Sequence, residues 1–355
     1  MKDNIIVRFD NVSKSFDDTT VIKNISLDIY EGEFITFLGP SGCGKTTMLR
    51  MISGLETPTS GRVFIDNKDV TFVDATKREV NTIFQNFALF PKMTVKENIA
   101  FGLRMRKEKE EDINKKCKDV IKLVKLEGFE NRYPAELSGG QQQRVAIARG
   151  IIMNPKVLLL DESLCSLDLK LKKSMQVELK RIQQKLGITF IYVTHAQDEA
   201  LSMSDRIAII NNGVIEQLGT PSDIYISPKT VFVADFIGEA NIVDGKIIDQ
   251  KNDKLELSIL NGFKIKIKTD DKFKKGEIVK VIIRPEDVKI SPNNLTNSIK
   301  GVITDFIYGG ENTKLIIKID DEHSLKTSVT DEERYSIGSN VSIKFEEKYI
   351  VALRK

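Results

Sequence analysis

No stretch of this 355-residue chain approaches the roughly 18 consecutive apolar residues that a membrane span requires. The expectation is a chain that reaches a membrane only through a partner. An excess of one charge is also missing. The 54 basic and 51 acidic side chains leave a net charge of +3, against the concentrated positive face of a nucleic-acid binder. Cysteine is scarce: Cys43, Cys117 and Cys165 are odd in number and lack a metal-ligand spacing, which reads as free thiols in a reducing cytosol. Met1 to Asp10 mixes acidic and basic residues with no apolar core, so no secretory signal is expected.

What is present is a soluble globular composition, with 41% hydrophobic and 30% charged residues. The length suits two domains better than one core. Ile5, Val7 and Phe9 alternate with polar neighbours, as do Ile25, Leu27 and Ile29, and both read as half-buried strands. Phe34 to Leu38 is a mostly apolar strand, followed by a glycine-rich turn and a helix over Lys45 to Ile52 closed by Gly54. Val95 to Tyr133 is helical in character, with a solvated, sign-alternating face from Arg104 to Lys118.

Val157–Leu160 and Ile188–Val193 are uninterrupted apolar runs, expected where helices cover both faces of a parallel sheet. Asn212-Gly213 between two apolar runs predicts a type I′ hairpin. Thr220-Pro221 and Ser227-Pro228 each read as a helix cap followed by proline at the first helical position. From about Asn241 the pattern turns all-β. Short runs such as Leu255–Leu260, Ile278–Ile283 and Val341–Phe345 suggest a small barrel or sandwich.

Chemistry concentrates in a few segments. Gly39-Pro40-Ser41-Gly42-Cys43-Gly44-Lys45-Thr46 fits the G-x-x-x-x-G-K-[ST] phosphate loop, in its proper place between a strand and a helix. Its glycines let backbone N–H groups approach phosphate oxygens, and the helix start favours an anion. Lys45 would neutralise the β- and γ-phosphates of a nucleotide, and the Thr46 hydroxyl would coordinate Mg2+.

Asp161-Glu162 ends a buried strand, where two carboxylates are costly without a cation or a proton to handle. Asp161 suits the metal, and Glu162 suits the proton of an attacking water. His195 ends another strand on the same expected edge, although a lone histidine is more often structural. Leu137-Ser138-Gly139-Gly140-Gln141 precedes a helix over Gln142 to Ile152. By itself it is either a flexible cap or a second anion-binding helix start.

These segments occur in the order found in ABC transporter ATPases, which the chain resembles over most of residues 1 to 235. The signature Leu137–Gln141 is the most specific of the matches, since other phosphate-loop enzymes lack it. The resemblance implies ATP and Mg2+ as cofactors and adds roles. Phe16 is similar to the aromatic that stacks on adenine, and Thr47 joins the nucleotide-binding set. Gln85 resembles the glutamine that senses Mg2+ and water, and Asp168 the aspartate that communicates across a dimer. Ser138, Gly139, Gly140 and Gln141 would meet the nucleotide of the other copy. Asn86 to Pro91 would face membrane subunits. Taken alone, Phe16 reads as core or surface, and Gln85 carries no signal.

Arg284-Pro285-Glu286-Asp287, alone a turn with a solvated ion pair, resembles part of the accessory domain of importer ATPases for sugars, polyamines, iron and inorganic anions. Ala234 to Asn241 is similar to the spermidine/putrescine importer ATPases. There are departures: the family usually has proline at Ser163, serine and alanine at Cys165 and Ser166, and aspartate at Ala196.

The expected architecture is an α/β phosphate-loop cassette, a mixed sheet with a helical subdomain, over residues 1–238. A small barrel-like, OB-like and regulatory β domain would follow over 239–355. The resemblance implies a homodimer sandwiching two Mg·ATP, acting with integral membrane permease subunits and an extracytoplasmic binding protein at the cytoplasmic face of the membrane, with no nucleic acid. The alternatives are import of sugar, iron or an inorganic anion, and a soluble non-transport ABC ATPase.

Overall fold

A computed structural model describes residues 4–162, 168–292, 295–310, 312–330 and 335–354. Ser163, Cys165 and Ser166, named above as departures, lie outside the described residues. The chain forms two compact units, Met1–Pro221 and Ser222–Lys355. The division falls ahead of the 238/239 boundary expected from the change of pattern. Its reason is packing: Ala234 of the helix Val231–Phe236 shares an apolar cluster with Ile282 and Leu353 of the β unit.

The first unit has two sheets. An antiparallel one runs in the order Thr19–Tyr30, Ile5–Phe16, Ser60–Ile65, Lys68–Asp69. The larger sheet runs Val214–Gly219, Arg206–Asn211, Phe34–Leu38, Thr189–Thr194, Val157–Asp161, Val80–Ile83. All its pairings are parallel except the edge hairpin, where Asn212 (φ 48°) and Gly213 (φ 81°) take the positive angles expected of the turn. The strand Val80–Ile83 was not foreseen; at four residues it has too little pattern to read.

The apolar strands are buried on both faces for a visible reason. Alternate residues supply two different cores. Phe34, Leu158, Leu160, Phe190 and Tyr192 join the cluster under the helices, whereas Ile35, Val157, Leu159, Ile191 and Val193 join the cluster under the antiparallel sheet. Each full burial of such a side chain is worth about 1.5–3 kcal/mol. The helices Val95–Met105 and Glu110–Leu123 fall in the segment Val95 to Tyr133 expected to be helical, and Gly139–Ile151 follows them. Among the described residues, no helix is long and apolar enough to cross a membrane.

The second unit has two five-stranded antiparallel sheets around one core, to which Val243, Leu257 and Val281 of one sheet and Ile303, Leu315 and Ile343 of the other contribute. The all-β accessory domain is therefore as expected. Ahead of it, a helix begins at Pro221, as the capping signal implied. The next does not begin at Pro228. It starts at Val231, because Thr230 rather than Ser227 accepts the cap bond, from Val233 N.

Candidate functional site

Parallel pairing puts the carboxyl ends of Phe34–Leu38, Thr189–Thr194, Val157–Asp161 and Val80–Ile83 on one edge. That edge is where an open α/β sheet takes its ligand. It gathers the loop 39–46, Asp161-Glu162, His195 and Gln85 from four distant parts of the chain.

The loop is built for close approach to an anion. Gly44 sits at φ 106°, and a Cβ there would stand 2.4 Å from Ile22 Cδ1. A Cβ on Gly39 would stand 2.1 Å from the Ile210 carbonyl oxygen, so neither position tolerates a side chain. Ser41 and Gly42 are exposed, while Cys43 is buried and burial pushes its thiol up. Lys45, 5% exposed, donates to its own loop at Gly39 O (2.9 Å) and Pro40 O (2.7 Å). An ammonium parked on loop carbonyls is available to a phosphate that replaces them. Thr46 and Thr47 occupy the first turn of the helix Lys45–Ser53. A cleft of about 390 Å³ opens beside Pro40–Cys43, walled by Thr19–Val21, Lys23 and Asn211–Gly213.

Thr46 Oγ1 donates to Asp161 Oδ1 at 3.3 Å. Burial is the main reason that the Asp161 carboxyl is raised above the usual range, and the neighbouring Glu162 charge adds to it. A half-buried carboxylate beside a threonine hydroxyl and next to the phosphate loop is a donor set that suits Mg2+.

Glu162 adopts φ 45°, a left-handed conformation rare for a side chain of its size, and its N–H donates to Val193 O at 3.0 Å. Gln85 Nε2 donates to Glu162 Oε2 at 3.3 Å, and His195 Nδ1 lies 3.3 Å from Oε1. Both oxygens are thus oriented by a partner from another strand end. Gln85, expected at the metal, reaches Glu162 here.

The signature lies at a helix start. Ser138 caps the helix Gly139–Ile151 through a reciprocal box: Gln141 N donates to Ser138 Oγ (3.4 Å) and Ser138 N donates to Gln141 Oε1 (2.9 Å). The helix begins at Gly139, three residues before the expected Gln142. The Ser-x-x-Gln spacing was the available signal. Ser138 and Gly139 are exposed, whereas a Cβ on Gly140 would stand 2.9 Å from Leu171 Cδ2. Asp168 caps the following helix by accepting from Leu171 N at 3.0 Å. Phe16 is 42% exposed, with the Lys14 ammonium 4.6 Å from its ring centre.

Sequence reasoning missed Arg78. Its guanidinium donates to Met51 O (2.7 Å) and Ile52 O (2.9 Å), in the last turn of the phosphate-loop helix, and to Val73 O (2.9 Å). Backbone carbonyls leave no trace in a sequence, so nothing flagged it.

Ala196 caps the helix Gln197–Met203 without a side-chain bond, at φ −87° and ψ 116°. An aspartate there meets the cap geometry directly. Ala196→Asp is expected to stabilise the unit by about 1 kcal/mol, read as a shift of the urea midpoint with unchanged slope.

In the β unit, Arg284 is not the solvated ion pair expected of a turn. It is 5% exposed and donates to Ala234 O (3.0 Å), Ile237 O (2.7 Å), Glu239 O (3.1 Å) and Tyr225 O (3.1 Å). The two segments that the sequence singled out separately, 234–241 and 284–287, are one clamp. Asn241 extends it, with its amide donating to Ile283 O and Lys326 O and its oxygen accepting from Lys326 N.

Beside this clamp a cavity of about 240 Å³ is lined by Tyr225, Ile282, Arg284, Glu286, Asp287 and Tyr349. Burial first, then the Glu286 and Glu346 charges, raise Asp287 to about 6. The folded form thus holds this proton more tightly than the unfolded chain. Its stabilising effect is complete below the ordinary aspartate range and is lost as pH rises through about 6. Asp287→Asn is expected to add on the order of 2 kcal/mol at about pH 7.5 and much less at about pH 4.5, by urea titration at both.

The chain is similar to known proteins over most of its length. Residues 22–164 match the ABC transporter family, and residues 281–353 match the TOBE domain. The spermidine/putrescine import ATP-binding protein PotA of Vibrio cholerae is 46% identical over 98% of this chain and 94% of its own length. The protein of the same name from Salmonella typhimurium is 52% identical over 84% of this chain and 79% of its own.

Among solved structures, cbiO1 of Clostridium perfringens, part of the ABC transporter complex cbiONQ, is 30% identical with TM-score 0.59, covering 62% of this chain and 91% of that one. An ATP-binding cassette solved as a dimer in a post-hydrolysis state with ADP and Pi is 35% identical with TM-score 0.55, covering 61% and 99%.

Proposed function

This chain belongs to the ABC transporter ATP-binding proteins, and we propose that it is the ATP-hydrolysing motor of an importer for spermidine and putrescine. The observation that carries the reading is the 46% identity across 98% of the chain to a spermidine/putrescine import ATP-binding protein. The site supports the enzymatic part. Backbone N–H groups of the loop after Pro40 receive the phosphates, with Lys45 released from its loop carbonyls to neutralise them. Thr46 and Asp161 would hold Mg2+, which would offset phosphate charge.

Glu162 accepts the proton of the attacking water, with Gln85 and His195 fixing its two oxygens in place. Phe16 supplies a face for adenine, and Asp168 and the 138–141 signature complete the site of a second copy. ATP acts as a switch because it binds the closed pair of cassettes more tightly than the open pair, and hydrolysis removes that difference. Membrane permease subunits, fed by an extracytoplasmic binding protein, would be moved by that cycle from a position at the cytoplasmic face of the membrane. Residues Asn86 to Pro91 are the segment proposed to meet them.

The test is deletion of the gene followed by uptake of labelled spermidine and putrescine beside maltose, ferric iron and sulfate. Selective loss of polyamine uptake is expected. Unchanged polyamine uptake with loss of one of the others removes the cargo and leaves the motor.

A further inference from the structure

The turn after Gln85 stores backbone strain at consecutive residues. Phe87 sits at φ 59° and Ala88 at φ 45°, a left-handed pair with no glycine. Side chains in that region are unfavourable and persist only where surrounding structure enforces them. Local bonds, Phe87 N to Phe84 O (2.9 Å) and Ala88 N to Asn86 O (2.7 Å), close the turn. Arg149 holds it from outside: Nη1 donates to Ala88 O and Nη2 to Phe87 O, both at 2.8 Å. The guanidinium also lies 5.4 Å from the centre of the Phe90 ring. Its partners are carbonyls and a ring, and burial is what perturbs it.

Arg149 belongs to the helix Gly139–Ile151, whose first turn carries the signature. The next residue along is tied to the same strand-and-turn segment, since Asn81 Nδ2 donates to Gly150 O at 2.7 Å. One end of the helix therefore presents Ser138 and the other grips the turn that carries Gln85. Gln85 in turn contacts Glu162.

We propose that Arg149 is a positioning residue for hydrolysis: it enforces the strained 87–88 turn and so sets Gln85 against Glu162, making the signature helix and this turn move as one body. This rests on Glu162 being the base, but not on the identity of the cargo. A guanidinium is suited to the task because its planar fork reaches two successive carbonyls at once, which an ammonium cannot reproduce.

The test uses the full-length chain, with steady-state phosphate release and nucleotide binding measured on wild type, Arg149→Met, Arg149→Lys, Ala88→Gly and the Arg149→Met/Ala88→Gly pair. Arg149→Met is expected to lower kcat about tenfold or more with the ATP Kd changed less than about twofold, and Arg149→Lys to remain closer to Met than to wild type. Ala88→Gly alone is the reference with which the pair is compared. In the pair, glycine adopts the left-handed angle without enforcement, and at least about threefold of the lost kcat should return. Wild-type kcat in Arg149→Met overturns the proposal. So does a parallel loss of kcat, ATP affinity and thermal midpoint that Ala88→Gly leaves unrepaired, because Arg149 then merely holds the fold together. Glu162→Gln run alongside separates these outcomes from an error in the base: hydrolysis surviving in that variant sinks the base assignment, whatever Arg149 does.

Discussion

Glu162→Gln is expected to reduce steady-state ATP hydrolysis by at least about 100-fold while leaving ATP affinity within about twofold of wild type. The amide keeps the volume and can still occupy the left-handed backbone position at φ 45°, so the fold has no reason to change. What it loses is basicity, since an amide oxygen keeps its lone pairs but does not take up a proton from water. Gln85 and His195 contact Glu162 at 3.3 Å each, and neither is placed to replace it, because each is engaged in orienting the carboxylate. Phosphate release and equilibrium binding of a fluorescent nucleotide read the two halves separately. With binding retained and hydrolysis stopped, ATP should accumulate in a dimer that gel filtration resolves from the monomer. Near wild-type turnover would show that another group takes the proton.

The second large effect is expected across the dimer. Ser138→Arg places bulk and a cation at an exposed helix start and removes the reciprocal bonds to Gln141, a local cost of about 1 kcal/mol. The signature helix nevertheless packs against Leu171 at Gly140, and the hydrogen bonds of Ser138 close on Gln141 of its own capping box. Binding of ATP to the isolated chain should therefore change by less than about twofold, whereas hydrolysis should fall about 100-fold, since the misplaced cation obstructs the partner's nucleotide. Mixing this variant with Glu162→Gln offers a sharper check. One of the two composite sites in the mixed dimer then has both an intact base and an intact signature, so the mixture should regain activity that neither variant shows alone. Loss of ATP affinity in Ser138→Arg by itself would place both elements of a site on one chain.

Much of this site is legible because its chemistry is local. The phosphate loop needs eight successive residues between a strand and a helix, and Gly39 to Thr46 supplies them without reference to anything distant. Asp161-Glu162 was readable for a related reason: charge placed directly after an apolar strand is costly unless it has a task. The apolar runs at Val157 and Ile188 announced strands covered on both faces, and the two cores that share their alternate residues bear this out.

Other features rest on contacts between groups that every residue carries. Arg78, Arg149 and Arg284 each donate to backbone carbonyls far away in the chain, and a carbonyl oxygen belongs to all residue types. No spacing rule identifies such a partner, so Arg78 and Arg149 drew no reading and Arg284 read, alone, as a turn with a solvated ion pair. The strained pair Phe87-Ala88 was equally hidden, because neither residue is one that favours positive φ.

From the sequence alone came the loop, the acidic pair and the two-part α/β then β order, set by short-range sterics, desolvation cost and the period of apolar residues, and the signature through the family resemblance. The tertiary structure decided which strand ends meet, that Val80–Ile83 brings Gln85 to the site, and that buried guanidiniums hold the helix ends and turns in place. The difference is physical: periodicity and loop sterics act within a few residues, whereas sheet order and buried hydrogen bonding are settled only when remote segments compete for the same interior.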